Sequence, residues 1–354
     1  MLIVDSHLDL AHNAVNLNLD ITQPLADLRR LEAGMSEPFR GRGTVSLPAM
    51  RAGQVGLCLA TVIARVSDKW REAGSLDASA QQIAYARAQG QLAYYRLLES
   101  HGELRQIRSR TQLDAHVKQW TNCDTHPPLG FVLAIEGADP IVAPEQVHAW
   151  WDDGLRVVSL SHYGVSSYAH GTHTDGGLLD RGPALLHAMQ EVGLTLDLTH
   201  LADRAFWEAL DHFDGAVLAS HNNCRALVPD QRQLSDDMLR AIIQRDGVIG
   251  TAFDAWMLHD GWVIGESSSE LVSLANVVDH LDHVCQVAGN SDHAALGTDL
   301  DGGFGREQSP RDLDTIADLQ NIPAILTDRG YAEADIRKLM HGNWIRFLTR
   351  TLPT

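Results

Sequence analysis

Five side chains set out what chemistry this sequence can do: His7, Asp9, Glu136, His200 and His221. His7 and Asp9 stand two apart, and an extended segment turns such a pair to one side. That spacing suits two ligands of one ion; alone it is equally an Asp–His hydrogen bond. Glu136 follows an apolar run, where an unpaired carboxylate costs several kcal/mol. A cation, an arginine or a proton must neutralise it. His200 and His221 also follow apolar runs, and each alone reads as a structural histidine. Together the five are the imidazole and carboxylate donors that borderline divalent ions such as zinc prefer. They exceed one tetrahedral set, which points to two ions sharing a bridging carboxylate. The lysines are Lys69, Lys118 and Lys338, none at the end of an apolar run. Glu136 is therefore the candidate bridge.

Further residues could handle substrate and protons. Asp299, in the glycine-flanked run 297–302, is the candidate acid/base, with Asp301 beside it read as a turn aspartate. His162 is either an oxyanion donor or a loop histidine. Arg232 could grip a substrate carboxylate in a fork, although a surface arginine is the plainer reading. His170, His173 and Asp175 lie in a glycine-rich stretch, 163–177, that reads as a lid. His280 and His283 read as a solvated helix face, and Trp150-Trp151 as helix packing.

To gather such residues, the chain must deliver them from separate strands. Eight short apolar runs read as buried parallel strands: 2–4, 55–63, 130–135, 156–160, 195–198, 216–219, 248–253 and 294–297. Amphipathic helices are expected at 81–98, 144–151, 183–192, 203–212, 236–245, 271–287, 313–326 and 333–349. Asp203 reads as a helix cap, Pro183 as a first-turn proline, and Gly154, Gly193 and Gly330 as helix ends. A long insertion, 12–48, follows the first strand. Eight strand–helix alternations without a linker predict one (β/α)8 TIM barrel spanning residues 1–354. In such a barrel the reactive groups sit at the carboxyl ends of the strands, where six of the eight runs carry His, Asp or Glu.

Composition narrows the partners. Across 354 residues, 28 basic against 46 acidic side chains give a net charge of −18. That surface repels nucleic acid and anionic membranes. No run of 18 apolar residues exists, and the first residues do not read as a signal peptide. Cys58, Cys123, Cys224 and Cys285 lack metal-knuckle spacing and read as idle thiols. A cytoplasmic protein is expected.

The ordered motifs carry a resemblance. They are Asp5-Ser6-His7-Leu8-Asp9, Gly53-Gln54-Val55-Gly56, Ala134-Ile135-Glu136-Gly137, Leu196-Asp197-Leu198-Thr199-His200, Ala219-Ser220-His221-Asn222, Gly297-Thr298-Asp299-Leu300-Asp301-Gly302, and the tail 334–339 with Gly342-Asn343. Across nearly the whole chain they resemble the membrane (renal) dipeptidase family of metallopeptidases and its bacterial relatives. The resemblance implies a binuclear zinc barrel hydrolysing small dipeptides, with a D-residue admitted at the carboxyl side, and a homodimer. It makes His7 and Asp9 ligands of one ion, His200 and His221 ligands of the other, and Glu136 the bridge. His162 then contacts the scissile carbonyl, Arg232 the substrate carboxylate, and Asp299 shuttles the proton. Two stretches depart from the family pattern: 177–182, and Ala252-Phe253-Asp254-Ala255, where a tyrosine is common. Rival readings are a related hydrolase of N-acyl amino acids, lactams or lactones, and a non-enzymatic metal-binding protein. The family's mammalian members are secreted, lipid-anchored and disulfide-linked; none of these is expected here.

Overall fold

The computed structural model describes the chain except Pro38 and residues 123–126, so Cys123 lies outside the described residues. Among the described residues nine strands form: β1 Ile3–Leu8, β2 Val55–Ile63, β3 Leu104–Gln106, β4 Leu129–Glu136, β5 Leu155–Ser159, β6 Thr195–Asp197, β7 Val217–Leu218, β8 Ile249–Thr251 and β9 Ala294–Leu296. All ladders are parallel, in the order β1-β2-β4-β5-β6-β7, with β8 paired to β9. A parallel bridge, Ala219 to Ile249, carries the sheet from β7 to β8. The return from β9 to β1 is made by side chains. The Ser6 hydroxyl donates to the Leu296 carbonyl at 3.0 Å, and the Asp5 carboxylate accepts from the Thr298 amide at 2.9 Å and hydroxyl at 2.6 Å. The expected eight strands thus curl into the (β/α)8 barrel.

Several expectations need correction. β1 runs on to Leu8, so Asp5 and His7 lie within the strand and only Asp9 follows it. Asp9 is not extended: it caps the helix Leu10–Asn16. β3 was not expected; it pairs the first half of β4, and β5 pairs the second half. The insertion holds three short helices, Leu10–Asn16, Leu25–Leu31 and Leu47–Ala52. Asp203 opens its helix rather than capping it, the cap being Ala202. The expected last helix is broken by a π turn at Lys338–Gly342.

Alternation sorts the strand residues into two layers. Val4, Leu57, Leu59, Val132, Ala134, Val157, Leu218, Val248 and Ala295 pack with Trp344, Phe347 and Leu348 of the last helix, Asn343–Thr351, and with Leu352 just after it. Their neighbours Ile3, Cys58, Ala60, Phe131, Leu133, Ile135, Val158, Leu196 and Ile249 pack with the surrounding helices. Period-two patterning therefore fills the barrel from one set and its jacket from the other. Among the described residues, no helix is long and apolar enough to cross a membrane.

Small residues tighten the barrel near its carboxyl end. A Cβ on Gly250 or Gly297 would fall on the Ser220 carbonyl and the Ser6 hydroxyl. Gly250→Ala is accordingly expected to cost at least about 2 kcal/mol, because backbone cannot yield as a flexible side chain can. Urea unfolding followed by circular dichroism checks this; an unchanged midpoint would contradict it.

Candidate metal centre

The carboxyl ends of seven barrel strands converge on one buried cluster. β1 supplies His7 and, just past its end, Asp9; β4 ends on Glu136; His162 follows β5, His200 follows β6, His221 follows β7 and Asp299 follows β9. The seventh contribution, Arg65 after β2, had no counterpart among the sequence candidates. His7, Asp9, Glu136, His200 and His221 are all buried, each at 7% exposure or less.

Glu136 stands at the centre and its two oxygens face different groups. Oε1 lies 3.2 Å from His200 Nε2, 3.4 Å from His221 Nε2 and 3.7 Å from His162 Nε2. Oε2 lies 3.6 Å from His7 Nε2. His7 Nε2 is also 3.8 Å from Asp9 Oδ1 and 3.7 Å from Asp299 Oδ1. His200 and His221 bring their Nε2 atoms within 3.1 Å of each other. Around an ion with bonds of about 2.0–2.1 Å, tetrahedral ligands stand about 3.3–3.4 Å apart. The His200–His221–Glu136 set matches that spacing, and the His7–Asp9–Glu136–Asp299 set is slightly wider. His7 Nε2 is buried and has no hydrogen-bond partner, although three carboxylates surround it. Such an orphan is what a ligand atom looks like, so the residues fit divalent cations.

Outer partners aim the imidazoles. The Thr172 hydroxyl lies 2.8 Å from His200 Nδ1, and the Ser220 hydroxyl lies 2.8 Å from His221 Nδ1. With Nδ1 engaged outside, each Nε2 faces inward. The Thr61 hydroxyl donates to Asp9 Oδ1. His200 and Asp299 adopt left-handed backbone, at φ 68° and 58°. For non-glycine residues this strain costs about 1–3 kcal/mol each, and it gathers at functional sites.

The electrostatics agree. Burial, then the nearby Arg232 and His7 charges, hold His200 and His221 well below the usual histidine range, so both are neutral with a lone pair to give. Burial likewise raises Glu136 and pushes Asp299 well above the ordinary carboxylate range. For His7 burial works downward, but Glu136, Asp9 and Asp299 outweigh it and lift the group to about 10. A proton and a divalent cation therefore compete for the same atom.

Arg232 is buried at 3% exposure rather than lying at the surface. Its Nη2 donates to the His221 carbonyl at 2.9 Å and lies 3.3 Å from His200 Nε2, while Nε and Nη1 have no partner. Beside the cluster opens a cavity of about 480 Å³ whose wall includes Asp9, His162, Arg65 and Phe39. Tyr163, from the stretch 163–177, meets His200 edge to face with ring centroids 5.1 Å apart, His173 packs against Tyr163 at 5.6 Å, and His173 Nε2 lies 3.3 Å from Asp230. His170 sits in the same stretch, 3.3 Å from the Thr174 hydroxyl and away from the cluster.

Other candidates resolve as structure. Asp301 accepts from the Thr44 amide and hydroxyl and the Val45 amide, tying the insertion to the barrel. His280 is buried, not solvated, because its Nδ1 accepts the Cys224 amide. Trp150 is buried packing. Asp254, at the departure after β8, is buried and accepts from Trp256 Nε1 and Gln308 Nε2 at 2.8 Å each; burial lifts it to about 7.

Histidine and carboxylate donors at the carboxyl end of a (β/α)8 barrel define the class of metal-dependent barrels. A family model described as membrane dipeptidase, peptidase family M19, matches residues 1–352, and the chain belongs to that family. A Klebsiella pneumoniae protein described as uncharacterised, in the pqqA 5′ region, is 29% identical over 270 residues, 73% of this chain and 93% of that protein. The dipeptidase tcpJ of Claviceps purpurea is 31% identical over 199 residues, 55% of this chain and 44% of that enzyme. The chain thus spans about half the length of the curated dipeptidases it matches. Two solved structures share the fold at a TM-score of 0.79. One is a metallopeptidase dipeptidase at 21% identity, covering 100% of this chain and 99% of that one. The other is a Rhodobacter sphaeroides metallopeptidase bound to a phosphinate mimic of L-Ala-D-Ala, at 22% identity and 99% coverage of both.

Cations at His7, Glu136 and Asp299 compete with protons, because the surrounding carboxylates raise His7 and burial raises both carboxyls. Affinity is therefore expected to fall as pH is lowered, and chelation at neutral pH to lower the melting temperature until a divalent cation is restored. Calorimetric melting with and without chelator checks both. A melting temperature indifferent to chelator and pH would contradict the site.

Proposed function

We propose that this chain is a dipeptidase that hydrolyses the amide bond of small dipeptides with two divalent ions, zinc by preference. His7 and Asp9 would hold one ion and His200 and His221 the other, with Glu136 shared between the two sets. The observation that carries the reading is Arg232. A buried guanidinium with two unpartnered nitrogens, its third 3.3 Å from His200, calls for a carboxylate very near the reacting bond. A dipeptide presents such a carboxylate a few bonds from its amide carbonyl.

When bound, the ions acidify the attacking water and polarise the carbonyl. The chain's own residues do the rest. Arg232 orients the free carboxylate, and such positioning can supply several kcal/mol of the barrier. Asp299 is poised as the acid/base: burial favours its protonated form, so it can accept a proton from water and deliver it to the leaving amine. His162 faces the developing oxyanion. A D-residue at the carboxyl side is part of the proposal, supported by the mimic bound to the Rhodobacter sphaeroides relative. A cytoplasmic location and a homodimer complete it.

Three outcomes test the reading. Zinc-loaded protein assayed against L,L- and L,D-dipeptides, with N-acyl amino acids as comparators, is expected to turn over dipeptides; activity on the comparators alone would overturn the proposal. Asp299→Asn is expected to keep its metal by elemental analysis and lose about 100-fold or more in kcat. Full turnover in that variant would remove Asp299 from the mechanism. Arg232→Met is expected to lose about 100-fold in kcat/KM, the worth of a charge-assisted carboxylate pair. An unchanged kcat/KM would leave the carboxylate to another group.

A further inference from the structure

The end of β2 brings to the centre a residue without a role so far. Arg65 lies two positions beyond Ile63, and its Nη1 is 3.1 Å from His162 Nδ1. An arginine in a protein stays protonated and can only donate. His162 Nδ1 must therefore accept, and the proton of the neutral ring must sit on Nε2. That nitrogen is the one facing the cluster, 3.7 Å from Glu136 Oε1. Its lone pair is then not free to bind a cation, although His162 stands with Glu136 and His200 in a grouping that could hold one.

We infer that Arg65 is a positioning residue that locks His162 in its Nε2–H tautomer, making it a hydrogen-bond donor to the reacting carbonyl and keeping it off the metal. This rests on the proposed role of His162.

The arginine is itself firmly placed. Asp77, buried at 7% exposure, accepts from Arg65 Nε at 3.1 Å and forms an ion pair with Nη2 at 2.9 Å. The Ser67 hydroxyl holds the other Asp77 oxygen. The backbone is pinned on both sides: the Ala78 amide donates to the Arg65 carbonyl at 2.6 Å, and the Val66 amide donates to Asp139 at 2.7 Å. Asp77 occupies the guanidinium edge formed by Nε and Nη2, which leaves Nη1 to His162. The chain Asp77–Arg65–His162 thus works as the carboxylate–histidine pairs of other enzymes do, with reversed polarity. There an acceptor fixes the proton on the near nitrogen; here a donor fixes it on the far one.

The test uses the zinc-loaded full chain and has two readouts. The first is nitrogen-15 NMR of the histidine rings, with the His162→Ala spectrum identifying the His162 signals. Wild type is expected to show Nδ1 bare and Nε2 protonated, and Arg65→Met to lose that pattern. A His162 ring protonated on Nδ1 in wild type would overturn the inference whatever the substrate. The second is kinetics on the best dipeptide of the panel. Arg65→Met is expected to lower kcat by about 10- to 100-fold with KM within about threefold, as for loss of an oxyanion donor. Arg65→Lys, which keeps one donor, is expected to recover most of it. In a His162→Ala background, Arg65→Met is expected to add less than about twofold. A rise in KM with kcat unchanged, or an undiminished effect in that background, would mean that Arg65 touches substrate directly. Wild type inert towards dipeptides yet showing the expected ring pattern would overturn the dipeptidase reading and leave the tautomer lock standing.

Discussion

A carboxylate buried at the carboxyl end of a barrel has to be met by positive charge, and Glu136 imposes that demand on everything around it. It is 4% exposed, and Asp9 and Asp299 lie across His7 from it. Left ionised and unpaired, such a group costs several kcal/mol. The neighbouring imidazoles do not remove the cost, because His162, His200 and His221 are held neutral. Arg232 sits near, but the hydrogen bonds of its Nη2 go to the His221 carbonyl and towards His200. Protons on His7 and on the carboxylates answer part of the demand, and divalent cations answer it more fully.

The barrel is built to hold these repelling groups together. Ser6, Gly250 and Gly297 form a layer of small residues that lets the strands close tightly beneath them. Asp5 joins β1 to the turn after β9, which places His7 beside Asp299. His200 and Asp299 are kept in left-handed backbone that neither would choose alone. Strain there is offset by the large apolar layers below, so stability is spent in one part of the chain to fix geometry in another.

Much of this was legible in the sequence because it depends on local pattern. Apolar runs bounded by turn residues located the eight barrel strands, and reactive side chains at their ends located the cluster. What escaped depends on long-range contact. Leu104–Gln106 is too short and too mixed to signal a strand, and exists because β4 offers it an edge. The helix Arg110–Asn122 and the helices of the insertion carry weak apolar stripes. The burial of Arg232 depends on the chain folding back over His221, which spacing does not reveal. Arg65 was missed because only metal-binding residue types were sought at strand ends, although it is the first charged residue after β2. His280 looked solvated on its helix, but the Cys224 amide covers it.

The claim under all of this is that one buried carboxylate is shared by two cations. A crystal structure of zinc-loaded protein, with anomalous scattering measured on both sides of the zinc edge, tests it most directly. The account predicts two peaks, one among His7, Asp9 and Glu136, the other among His200, His221 and Glu136. A cluster free of anomalous density, or zinc bound only elsewhere, would contradict it.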